Sequence, residues 1–193
     1  MRELLVIGAL LTGVYLWTGR EISRPAGVLV QEDPVQRQVD SRSTLDKNGY
    51  QINLLASFDI RARVIAAERY RFDRGAQVSP VDLALGWGAM SDSSVLQQIS
   101  VAQGGRTYSW WVKNYPVPRT IIETHSANMH MIPADDGIER QLKSLRPGNL
   151  VHLKGYLVEV SNKEGFRWKS SLTRSDTGAG ACELLWVESL ASW

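Results

Sequence analysis

The chain has 193 residues, with 22 basic against 20 acidic side chains and a net charge of +2. No run of like charges is long enough to form a nucleic-acid footprint, so charge names no partner and nucleic acid is not expected. Cys182 is the single cysteine, which excludes an intrachain disulfide and leaves the fold to rest on packing.

The first stretch, Leu4 to Gly19, is free of charge and lies between Arg2-Glu3 and Arg20-Glu21. An apolar helix of this length enters a bilayer or is removed as an export signal. Leu16 to Gly19 offers no small-x-small cleavage pair, and Tyr15 and Trp17 suit an interfacial belt. Residues 1–20 are therefore expected to be an anchor, with a cleaved signal or a buried core helix as the alternatives. Residues 21–48 are polar and contain Pro25 and Pro34, which reads as an extended tether, unless Val28 to Val30 adds an edge strand. Residues 49–193 then form one globular domain of ordinary size.

From Ile52 to Val64 apolar residues alternate with mainly polar ones, which predicts a long strand, bent or broken because it exceeds the usual strand length. Ser79-Pro80-Val81-Asp82 carries a helix-start signature, and Asp92 is placed to cap a second short turn. ISVAQ and RTYSWWV flank Gly104-Gly105 as a two-residue hairpin. Arg119 to Thr124 reads as a strand running into HSANMHMIPA. Asp135 then caps a helix with Ile138, Leu142 and Leu145 on one face. Three further strands follow, in LVHLKGYLVEV, FRWKSSL and CELLWVE, and Gly155 predicts a bend in the first of them. The sum is a strand-rich α+β domain with two or three short helices, and its strand order fits a partly open antiparallel barrel, OB-like.

Four constellations carry chemistry. His125 and His130 are five apart, which puts them on opposite faces of a strand and well apart on a helix, so no metal site is expected. With Asn128 they read instead as backbone-bonding groups or the lining of a polar cleft. Asp176-Thr177-Gly178 resembles the active-site loop of retropepsin-type aspartic proteases. Thr173 to Ser175 are polar where that family is apolar, however, and no apolar-apolar-glycine segment follows. Arg174, Asp176 and Glu183 read as a salt-bridged turn, and Cys182 as a small core residue, with a thiol nucleophile served by His125 or His130 as the alternative. Trp87, Tyr108, Trp110, Trp111, Tyr115 and Trp168 form an aromatic set. In a strand, Trp110 and Trp111 point to opposite faces, so one of them, taken here as Trp111, is offered to a partner.

The blocks DLALGWGAMSD, HSANMHMIPA and SSLTRSDTGAGACELLWVE resemble those of a family of uncharacterised bacterial proteins with an N-terminal apolar segment. The resemblance implies a bacterial, membrane-anchored, exported protein and attaches no catalytic role to any residue. Taken together, the sequence predicts a single-pass inner-membrane protein, held in lipid by residues 4–19, with a periplasmic domain that binds or scaffolds a protein of the cell envelope. The expected binding residues are Trp111, His125, Asn128, His130, Arg174 and Asp176, and no cofactor is expected. The alternative is a periplasmic hydrolase with a polar site around Asn128, His130, Asp176 and Glu183, in which His130, Asp176 and Glu183 are catalytic.

Overall fold

The computed structural model describes residues 20–39, 43–173 and 182–193. It is a strand-rich α+β domain built on one long strand, β3 (Tyr50–Arg69), as the alternation in the sequence predicts. Its second half pairs antiparallel with β4 (Val81–Gly86), and most of its length pairs antiparallel with β8 (Leu150–Asn162). Serving two neighbours requires the strand to curl. Register shifts at Leu54/Ala56 against β8 and at Val64/Ala66 against β4 supply that bend.

The pairings close on themselves. β4 lies against β7 (Ser126–Pro133), β7 against β10 (Glu183–Ser192), β10 against β8, and β8 again against β3. The β7–β10 junction is parallel and the other four are antiparallel, so the ring is closed, and not wholly antiparallel as the sequence predicts. Ala56, Phe58, Ile60, Leu83, Leu85, Met129, Met131, Leu153, Leu157 and Leu185 share the buried core cluster inside it. Ile138, Leu142 and Leu145, the predicted stripe of helix α3 (Asp136–Ser144), join that cluster; Asp135 Oδ1 caps the helix by accepting from Ile138 N at 2.9 Å. Gly155 is where β8 and β10 close tightest: a Cβ there would lie 1.8 Å from the Trp186 carbonyl oxygen.

Two short strands, β1 (Val35–Gln38) and β2 (Thr44–Lys47), pair with β3, and β9 (Arg167–Lys169) extends β8. The stretch read as a tether is therefore part of the domain where it is described. Upstream of β1 it also lies on the domain. Ile22 N donates to Pro147 O at 2.8 Å, Gly27 N to Asp92 Oδ1 at 2.9 Å, and Leu29 N and Val30 N each to Ser91 Oγ at 3.0 Å. Glu21 meets the buried Arg63 guanidinium at 3.2 Å, and Val30 is buried in the core. Polar composition alone concealed this, because the segment is held by backbone groups and by side chains distant in sequence.

A 3₁₀ turn (Gly88–Ser91) and helix α1 (Ser93–Leu96) follow β4, with Asp92 accepting from Ser94 N as its cap. The hairpin β5 (Ile99–Gly104) and β6 (Thr107–Val112) stands as a separate two-stranded sheet. Helix α2 (Arg119–Thr124) leads into β7.

Two expectations are corrected. Ser79-Pro80-Val81-Asp82 starts a strand, because Val81, Leu83 and Leu85 alternate into the core. Arg119 to Thr124 is helical, with Ile122 fully buried. HSANMHMIPA, to which the sequence assigns no element, contributes β7. The expected membrane segment, Leu4 to Gly19, lies outside the described residues, and among those described no helix is long and apolar enough to cross a membrane.

Candidate functional site

On β4 and β7 the residues that alternate with the core positions face the opposite way, and they too are buried. Asp82 and His130 are register partners across these strands, as are Ala84 and Asn128. Asp82 is fully buried and His130 is 2% exposed. His130 Nδ1 lies 2.9 Å from Asp82 Oδ1, in contact with the carboxylate but not aimed along a hydrogen bond to it. The same oxygen accepts from Arg106 Nη1 at 2.8 Å, and Arg106 Nη2 bonds both Asp73 oxygens at 2.9 and 3.0 Å.

Arg106 reaches this position from the tip of the β5–β6 hairpin. The turn residues are Gly105 and Arg106, with φ of +57° and +66°, one step later than the Gly104-Gly105 that the sequence predicts. A left-handed arginine costs about 1 kcal/mol or more. Several contacts hold it there. Its N–H donates to Tyr70 Oη at 2.9 Å, its guanidinium lies 3.7 Å from the Tyr70 ring centre, and both carboxylates engage it. Trp168 closes the group, with its ring 4.5 Å from that of His130 and 5.6 Å from the guanidinium. The hairpin is thus fastened at its tip to the outer face of the ring.

A cleft of about 1040 Å³ lies beside this fastening. All six members of the aromatic set (Trp87, Tyr108, Trp110, Trp111, Tyr115 and Trp168) line it, together with Arg106, Ser126, Asn128, His130, Cys182 and Glu183. Trp87 is both buried and a wall of the cleft; its Nε1 donates to Asp33 at 3.0 Å. Trp111 is 56% exposed, and Trp110 is the more buried of the pair, packed against the small cluster around Met90, Ile99 and Ile122.

Asn128 accepts from Gln103 Nε2 at 2.7 Å and its side chain hydrogen-bonds the Cys182 thiol. Burial raises the thiol pKa, the Asn128 bond works against that, and the charges of Glu183 and Asp82 add to the rise. Cys182 is therefore half-buried at the cleft and not a closed core residue. Burial likewise raises the Tyr108 phenol, which donates to Ser126 Oγ at 3.3 Å. At the mouth Arg119 Nε meets Glu123 at 2.8 Å.

Of the residues the sequence singles out, the structure brings Asn128, His130, Trp111, Cys182 and Glu183 to one cleft. His125 does not join them. It ends α2, its Nδ1 3.1 Å from Ile121 O and its ring beside Trp87, with Asp33 3.9 Å from Nε2. The two histidines do not converge, and among the described residues no group of three or more His, Cys, Asp or Glu could hold a metal ion. Arg174 and Asp176, with the Asp-Thr-Gly motif, lie outside the described residues. Asp82, Arg106, Tyr70 and Asp73 were missed. Asp82 had a signal, an acid within the alternation of Val81, Leu83 and Leu85, while Arg106 had only its place after two glycines. No family model, curated protein or solved structure matches the chain.

Proposed function

We propose that this chain is an exported binding domain, held at the inner membrane by residues 4–19 and facing the periplasm, which receives another envelope component in the aromatic cleft. The observation that carries the reading is the cleft itself: six aromatic walls over a buried ion group in which Arg106 is paired with Asp73 and Asp82, at a volume near the top of the range for small-ligand pockets, about 300–1,000 Å³. The ring order supports it. Counting β3, β4, β7, β8 and β10 as strands one to five, the third and fifth are parallel neighbours and a helix joins the third to the fourth, which is OB-like. Such barrels bind on the face of strands two and three, between the first–second and fourth–fifth loops. Asp82, Asn128 and His130 come from that face, Asp73 from the first of those loops, and Trp168 and Cys182 from the second.

The test is photo-crosslinking in cells from Ser109, exposed at the cleft, against Lys154 on the β8 side of the ring. A discrete adduct from position 109 alone is expected; equal labelling from both positions would remove the cleft as the binding site.

A hydrolase is the competing reading, and the buried Asp82 within 2.9 Å of His130 Nδ1 at the cleft favours it, although that contact lacks the hydrogen-bond alignment by which a carboxylate orients a catalytic imidazole. Cys182 weighs against a thiol version, since a raised pKa keeps it protonated.

A further inference from the structure

The two faces of a strand do not see the same space, yet all six residues of β6, from Thr107 to Val112, line the cleft. No residue of its partner β5 does. A cavity that touches both faces of one strand and not its neighbour lies along that strand's free edge. The hydrogen-bond pattern says which groups point there. The pair flanking the turn, Gly104 and Thr107, is bonded face to face, so Thr107, Ser109 and Trp111 spend their backbone groups on β5. The N–H and C=O of Tyr108, Trp110 and Val112 point the other way. No backbone partner is found for them among the described residues, and β7, the next strand across, does not pair with β6.

Charge narrows what can lie there. Arg106 is held by Asp73 and Asp82, Arg119 by Glu123, and Glu183 is also engaged. Among the described residues the buried part of the cleft therefore offers no uncommitted cation to a phosphate or carboxylate, and the 66% exposed Arg119 is the one basic side chain held only by a surface pair. It offers a ladder of backbone donors and acceptors about 20 Å long, at roughly 3.3 Å per residue, between aromatic walls. Trp111 stands on one side of that ladder and Trp110 with Tyr115 on the other, the two rings 6.3 Å apart in edge contact.

Resting on the binding reading above, we infer that the occupant is an extended, uncharged peptide segment of the partner, which adds to β6 as the third strand of the β5–β6 sheet. Main-chain bonds to Tyr108, Trp110 and Val112 supply the affinity, and the aromatic pockets on either side read alternate side chains. An edge strand left open in this way is otherwise a hazard that folds cover or charge.

The experiment uses the full chain in lipid nanodiscs. A random heptapeptide display library is panned against it, keeping sequences whose binding falls in Trp110→Ala and survives in Lys154→Ala. Each is then resynthesised with a single N-methyl group at successive positions. Strand addition predicts losses of tenfold or more at every second position and tolerance between them, with the amides of Tyr108, Trp110 and Val112 at least tenfold better protected from exchange when peptide is bound. Val112→Pro removes one outward N–H and none of the bonds to β5, so it should weaken binding about tenfold, whereas Val112→Ala, which gives up the packing on the Met90, Ile99 and Ile122 cluster but keeps that N–H, should bind within about twofold of the parent. Loss without alternation, or no new protection on β6, would overturn strand addition. A tetramer of N-acetylglucosamine or a thymidine oligonucleotide that binds through Trp110 where no peptide does would overturn the peptide and leave the binding reading standing. Failure of all three probes would count against both.

Discussion

Asp82 holds the site together at the scale of single residues. It is fully buried, and its one paired oxygen serves Arg106 and His130 at once. Replacing it with Asn removes the charge that the buried end of Arg106 requires. Breaking a buried pair from one side costs about 3–5 kcal/mol; Asp73 still holds the other end of the fork, so Asp82→Asn is expected near the lower figure, read by urea unfolding. Cys182 gives a second prediction. Its raised pKa means that alkylation should still be accelerating above pH 8.5. Asn128→Ala, which removes the bond that lowers the pKa, should slow the reaction further at pH 7.

Asp59 gives a third, across the barrel. Burial works to raise its pKa, but the hydrogen bond and charge of His152, at 2.7 Å, and of Lys154 outweigh burial and hold it below the ordinary value. The unfolded chain then binds that proton more tightly than the folded one. The pair stabilises the fold above about pH 4 and loses its effect as pH falls through the folded pKa. With the carboxylate 44% exposed, solvent screening leaves a few tenths of a kcal/mol, roughly. Asp59→Asn should flatten the acid limb of the stability curve by that amount.

Among the elements, the strands and the capped helix were legible where one face is dry and the other wet. β3, β8 and α3 announce themselves by period. β4 and β7 did not, because the hairpin and the loops cover their outer faces and almost every position on them is buried. Without a wet face there is no alternation of polarity to read. Ser79-Pro80 and Asp82 then resembled a helix start, although Ser79 is fully buried and Asp82 belongs to the site. The N-terminal segment was illegible for a different reason: Ser91 and Pro147, which hold it, lie over sixty and over a hundred residues away. Gly148, at φ +90°, is the contact that makes this testable, since a Cβ there would sit 2.1 Å from the Ile22 carbonyl oxygen. Gly148→Ala should cost about 2 kcal/mol and raise amide exchange from Ile22 to Val30 while β8 stays protected. Gly155→Ala would push against the Trp186 carbonyl in the middle of the ring, and it should cost more than Gly148→Ala in the same urea series.

For the molecule as a whole, half of the site could be read in advance. The aromatic set, Asn128, His130, Cys182 and Glu183 were in view, but nothing in their spacing said that they share one cleft. That follows only when the ring closes and Arg106 brings the hairpin down onto Asp82. With Leu4 to Gly19 in the bilayer as proposed, Ile22 is already bonded to the domain, so only Arg20 and Glu21 separate the two. The cleft is then presented at a fixed height above the membrane. The most direct measurement of its role is amide exchange on the full chain in nanodiscs, alone and after incubation with an envelope extract from the same cells. Protection is predicted at Thr107 to Val112 and Ser126 to His130, with β8 unchanged. Protection confined to β3 and β8, or none at all, would contradict the account.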